Sequence, residues 1–153
     1  PIIIPEVHPS VKDNPHLTQY EKEYASMVLR LDQTVGMILD ELDRLEERLS
    51  TNRYLLGDRI TEADWRLFPT LARFDLVYHL HFKCNRRRII DYPNLWAYAR
   101  ELYQWPGVAG TVNFDHITRH YHYSHETVNP HRIVPIGPEL DFMAPHGRER
   151  LAA

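Results

Sequence analysis

No proline interrupts the chain between Pro15 and Pro69, and through that stretch runs an apolar stripe of Tyr24, Val28, Leu31, Val35, Ile38, Leu42, Leu45 and Leu49. Spacings that alternate between four and three put all eight positions on one helical face. The pattern predicts a single long amphipathic helix over about residues 17–50. Its other face carries Glu41, Asp43, Arg44, Glu46, Glu47 and Arg48 and reads as solvated. The stripe is then the seam of a helical bundle, or of a coiled-coil dimer. Ahead of it, Pro1, Pro5, Pro9 and Pro15 make residues 1–16 an extended lead-in or an interdomain linker.

The next stretch carries its own start signal. Thr61 and Asp64 have the spacing of a capping box, with Asp64 in place of the usual Glu or Gln, and Ile60 and Trp65 occupy the staple positions around it. A helix is expected from Thr61, with Thr61 and Asp64 as structural caps each worth about 1 kcal/mol. Pro69 lies inside this helix and removes a backbone donor, so a kink is expected near the second turn, while the period continues through Leu71, Phe74 and Val77. Pro93 and Pro106 bracket a further helix. Another is expected from near Val108 to about Tyr123. From residue 125 to 153 the helical period disappears; Ile133, Val134, Ile136, Leu140 and Phe142 mark an extended tail packed on the domain. Residues 17–124 are thus expected to form an all-α bundle of four to six helices.

Charge and composition narrow the function. Eighteen basic and twenty-one acidic side chains leave a formal charge of -3, too balanced for a general field toward nucleic acid or an anionic membrane. Arg86, Arg87 and Arg88 lack interleaved aromatic or glycine residues and read as a solvated or pairing loop. No apolar run approaches the roughly 20 residues that span a bilayer. Cys84, the one cysteine, excludes an internal disulfide and a four-cysteine zinc site, and it fits a reducing compartment, with cytoplasm as the expected location.

YLLGDRI, the Thr61-x-x-Asp64 cap, WRLFPTL and, further on, YPNLWAYARELYQWPGV resemble the C-terminal domain of the glutathione transferases. RFDLVYHLHFKCN, VNFDHITRHYHYSHETVNPHRIVPIGPELDF and PHGRERL resemble the glutathionyl-hydroquinone reductases, the Xi class, over roughly residues 40–151. The resemblance implies a fold, a chemistry and a division of labour. In that family a thioredoxin-like N-terminal domain binds the glutathione cosubstrate and carries the nucleophilic cysteine in a Cys-Pro-Trp-Ala motif. Nothing in these residues matches that domain. The helical domain lines the hydroquinone pocket and builds much of a homodimer interface. The expectation is a chain that supplies the acceptor site, holds no catalytic residue of its own and uses no metal.

A hydroquinone is a flat apolar ring with two hydroxyls, and tyrosine answers both features. By the resemblance, Tyr121 in RHYHYSH matches a hydroquinone-contacting tyrosine, and Tyr20 falls where a second pocket tyrosine lies, although its QYEKEYAS surroundings depart from the family pattern. Tyr78 and Tyr123 read as core or rim. His116 and His120 are spaced to share one helical turn, which admits a metal-binding helical domain; capping and interface hydrogen bonds are the blander account of the six histidines between His116 and His146. Cys84 has basic neighbours in Lys83 and Arg86, yet the resemblance gives it a structural place. The alternative from another class is a stand-alone helical binding or interaction module of transferase type.

Overall fold

The structure is a computed structural model that describes residues 7–151; inside the long helix, the side chains of residues 23, 24, 27, 28, 30–32, 34 and 35 also lie outside the description. Its regular elements are helices, and among the described residues the single extended pairing is an isolated bridge between Tyr54 and Gly57. The all-α expectation holds. The chain divides into two compact units, residues 1–40 and 41–153.

In the first unit, α1 is one short turn, Pro9–Lys12. The long helix α2, Gln19–Thr51, begins in this unit and ends in the second. It starts two residues later than expected because Thr18 and Glu21 form a local cap. The backbone N–H and hydroxyl of Thr18 both donate to Glu21 Oε2, at 2.8 and 2.7 Å. These bonds hold the exposed Glu21 carboxyl below its ordinary value. Of the predicted stripe, Tyr24, Val28, Leu31 and Val35 fall outside the described side chains. Leu42 and Leu49 are buried, Leu45 is half-buried and Ile38 is exposed, while its neighbour Leu39 is buried in its place. At 100° per residue, Ile38 and Leu39 lie about 40° and 60° either side of Leu42, so the pattern alone does not choose between them.

The second unit is built on α3 (Glu62–Arg73), α4 (His79–His81), α5 (Pro93–Tyr103) and α6 (Phe114–Ser124). Helix α3 begins after Thr61, with Thr61 N–H and hydroxyl donating to Asp64 Oδ2 at 2.7 and 2.8 Å. It carries Pro69 without interruption. Its departure from α geometry falls later, in one π turn, Phe74–Tyr78, that leads into α4. Helix α5 runs where Pro93 and Pro106 placed it. Helix α6 starts later than Val108: a 3-10 turn at Ala109–Thr111 comes first, and Asn113 caps α6 by accepting from the His116 N–H at 2.9 Å.

Phe68, Leu71, Phe74, Val77, Leu95, Tyr98 and Leu102 form the core of this unit. The tail is extended but packs through fewer side chains than expected. Phe142 is buried against Trp96, Tyr103 and Phe114, with ring centroids 4.8 to 5.0 Å away, and Gln104 Nε2 donates to the carbonyls of Phe142 and Ala144. Leu140 is half-buried, while Ile133, Val134 and Ile136 are exposed. The strongest anchor of the tail is a charged residue, Arg148, buried beside Glu101.

Candidate functional site

The π turn and α6 bring aromatic side chains from distant parts of the sequence together. One extra residue in the turn shifts the register of the next helical segment, and this turn delivers Tyr78 toward α6. Tyr121, half-buried on α6, is met by five rings: Tyr78, His81, Phe82, His120 and His125, at centroid distances of 6.1, 6.2, 5.9, 5.1 and 5.4 Å. All five stand steeply to it, at 74 to 90°, the edge-to-face arrangement that the ring quadrupole favours. Burial, and then hydrogen bonding with Tyr121, push the Tyr78 phenol above its ordinary value. Two phenols thus meet at one place in an otherwise apolar and imidazole surround.

Polar atoms behind the rings fix the frame. His81 and His125 face each other through Nε2 and Nδ1 at 3.1 Å, so one donates and the other accepts. Burial, followed by the charges of His122, His125 and Lys83, holds the His81 imidazole below its ordinary value. His122 is buried and Nε2 donates to the Leu76 carbonyl in the π turn at 3.2 Å. Asn129 closes the end of α6 by donating to the carbonyls of His122 and Ile133, both at 2.9 Å. These contacts tie π turn, α4, α6 and tail into one support for Tyr121.

On the neighbouring surface lies a cleft of about 410 Å3, lined by Trp65, Phe68, Arg73, Val112, Asn113 and Ile117 among others. His116 is at its edge and His120 lies against Tyr121 instead, so the i, i+4 pair is divided between two settings. Among the described residues, no three or more His, Cys, Asp or Glu side chains are placed to hold a metal ion. Burial raises the Cys84 thiol, whose sulfur lies 3.9 Å from the Phe82 carbonyl oxygen. That setting disfavours the thiolate a nucleophile needs. Arg86 and Arg87 both pair with Asp43, and Arg87 also lies over the Tyr92 ring.

Sequence reasoning singled out Tyr121 and left Tyr78 as core or rim; the structure joins the two. The signal for Tyr78 was faint, because its approach depends on the π turn. Tyr20 is 77% exposed in the first turn of α2 and belongs to the other compact unit. Thr61 and Asp64 are joined as capping partners, but Asp64 also accepts from Leu55 N–H and from the Tyr98 hydroxyl.

The fold and its capped central helix define a glutathione-transferase helical domain, and the family described as Glutathione S-transferase, C-terminal domain matches residues 30–101. More particularly, the chain is similar to the C-terminal helical part of glutathionyl-hydroquinone reductases of the Xi class. It is 47% identical over 146 residues to Glutathionyl-hydroquinone reductase YqjG of Escherichia coli, covering 95% of this chain and 44% of that protein. The glutathione-bound structure of that relative superposes with a TM-score of 0.75. Glutathionyl-hydroquinone reductase PcpF of Sphingobium chlorophenolicum is 50% identical, over 78% of this chain and 38% of its own. A Xi class transferase structure from Natrialba magadii is 54% identical with a TM-score of 0.77, over 79% of this chain and 38% of that one. The chain therefore spans less than half the length of these relatives. No described helix is long and apolar enough to cross a membrane.

Proposed function

We propose that this chain is the acceptor-binding helical half of a glutathione-dependent reductase of glutathionyl-hydroquinones. A cysteine thiolate outside these residues, on a thioredoxin-like domain that also binds glutathione, attacks the sulfur of the substrate. The sulfur–ring bond breaks, the ring carbon takes a proton and leaves as hydroquinone, and a cysteine–glutathione mixed disulfide remains. A second glutathione resolves it to glutathione disulfide. Residues 17–124 with the tail 125–153 supply the wall against which the ring is held. A cytoplasmic homodimer belongs to the same reading.

The observation that carries the proposal is Tyr121, hydroxyl-tipped and surrounded by five rings, in a chain similar to named glutathionyl-hydroquinone reductases. A phenol there can hydrogen-bond a substrate hydroxyl or supply the proton to the leaving ring. Tyr20 is the second proposed contact. With its thiol buried, Cys84 supplies no nucleophile.

The test is turnover of S-glutathionyl-hydroquinone with glutathione by the source polypeptide at full length. Hydroquinone and glutathione disulfide should appear in equal amounts, whereas the 153-residue chain by itself should release neither. Turnover by this chain alone would overturn the placement of the nucleophile outside it.

A further inference from the structure

The cleft beside Tyr121 has walls and a cation for which the hydroquinone reductase chemistry has no use. Its volume of about 410 Å3 lies within the roughly 300–1,000 Å3 of small-molecule sites. Trp65 and Phe68 of α3 face Val112 and Ile117 across it, and Arg73 stands half-buried at its edge. Arg73 Nη1 donates to the Pro69 carbonyl at 2.7 Å, and no carboxylate among the described residues pairs with the guanidinium. A guanidinium is always charged and offers five N–H donors, so most of the fork faces solvent or a ligand. Asp75, the carboxylate nearest in sequence, is occupied by the N–H groups of Ile89 and Ile90, and Asp115 by Arg119.

The cleft leads toward the tyrosine. Asn113, Ile117 and Tyr121 recur every four residues and share one face of α6. The first two line the cleft, and Tyr121 sits one turn further on, about 6 Å along the axis. On the opposite wall, Arg73 immediately precedes the π turn that ends in Tyr78.

We infer that this cleft is a specificity site for the aromatic substrate, selecting a ring that bears a carboxylate, which Arg73 holds while Trp65, Phe68 and Ile117 cover the apolar face. The inference rests on the hydroquinone reading for the identity of the ring. A carboxylate matches the planar fork of arginine with two parallel charge-assisted bonds. An unsubstituted hydroquinone leaves that fork to water.

Binding is tested first, without reference to turnover. The full-length protein is titrated with 2,5-dihydroxybenzoate and with 1,4-dihydroxybenzene, monitored by tryptophan fluorescence, in wild type, Arg73→Leu and Arg73→Lys. The benzoate should bind at least about tenfold more tightly than the neutral diol. That preference should vanish in R73L and return in part in R73K, with circular dichroism unchanged. Equal affinity for the two probes in wild type, or a preference that survives R73L, would overturn the inference. Turnover is then compared on the glutathionyl conjugates of the same two rings. R73L should raise KM for the carboxylated conjugate about tenfold and leave the neutral one unchanged; equal losses on both would mean that Arg73 serves the glutathionyl moiety or the fold, and would overturn the assignment. Absence of turnover on both conjugates by wild type, with the binding preference intact, would reject the reductase reading and leave the cleft standing.

Discussion

Tyr98 donates its hydroxyl to Asp64 at 2.7 Å inside the core, and both residues are fully buried. The carboxylate that caps α3 is therefore also the internal partner of α5. It accepts as well from Leu55 N–H at 2.9 Å, which ties the loop after α2 to the same group. Burial drives the Asp64 carboxyl upward, yet the bonds from Leu55, Tyr98 and Thr61 together hold it below its ordinary value. The Tyr98 phenol is held far above its ordinary range, by burial first and by its bond to Asp64 second.

A cap alone is worth about 1 kcal/mol. Because Asp64→Ala strands several buried donors, its cost should reach about 3 kcal/mol, and Tyr98→Phe should cost about 2 kcal/mol. Urea unfolding of the two variants and of the double variant checks this. The double variant should lose less than the sum, since the two share one bond. Additive losses would deny the coupling. A carboxylate with a lowered folded pKa contributes stability above its unfolded value, so this contribution should drain away as pH falls through the folded value.

Arg148 should hold the tail more firmly than any apolar residue there. Its guanidinium donates to the carbonyls of Leu49, Asn52 and Arg53 at 3.1, 2.7 and 2.6 Å, and lies 3.3 Å from Glu101. Glu101 in turn accepts from Arg53 and from Tyr54, whose phenol is pushed up to about 12 by burial and by that bond. Removing one partner of a buried ion pair strands the other, at a cost of about 3–5 kcal/mol. Arg148→Met should lower the urea midpoint accordingly and speed proteolysis of residues 141–151; an unchanged cleavage rate would separate Arg148 from tail anchoring.

Range along the chain decides how much of this was legible in the sequence. The Thr61–Asp64 cap and the Pro93 start are set by neighbours within four residues, and both were visible. The Thr18–Glu21 cap is equally local and sets the start of α2 at Gln19, two residues beyond the expected one. The Asn113 cap of α6 is local too, but Val108 and Val112 extend the apolar pattern across the 3-10 turn ahead of it. Tyr98 and Arg148 meet their partners 34 and 47 or more residues away. An arginine that opens the charged run Arg148-Glu149-Arg150 gives no sign that it will be buried. The meeting of Tyr78 and Tyr121 depends on the π turn, which no residue type announces.

His81 provides a pH prediction. Its imidazole is held below the ordinary value of 6.5 by burial first and by nearby His122, His125 and Lys83. Such a group takes its proton more readily when unfolded, so its stabilising contribution is complete above 6.5 and is lost as pH falls toward and through the folded value. The thermal midpoint should drop between about pH 7.5 and 5.5, and His81→Asn should flatten that slope even if it lowers the midpoint throughout. An unaltered slope in the variant would assign the effect elsewhere.

Tyr121→Phe in the full-length protein tests the central claim most directly. The variant keeps the ring and its five aromatic neighbours and removes only the hydroxyl. Loss of one hydrogen bond to the reacting ring predicts a fall of about tenfold in kcat/KM for S-glutathionyl-hydroquinone, with KM for glutathione unchanged and stability lowered by no more than about 1 kcal/mol for the lost bond with Tyr78. Wild-type kcat/KM in the phenylalanine variant would contradict the account and remove Tyr121 from the site.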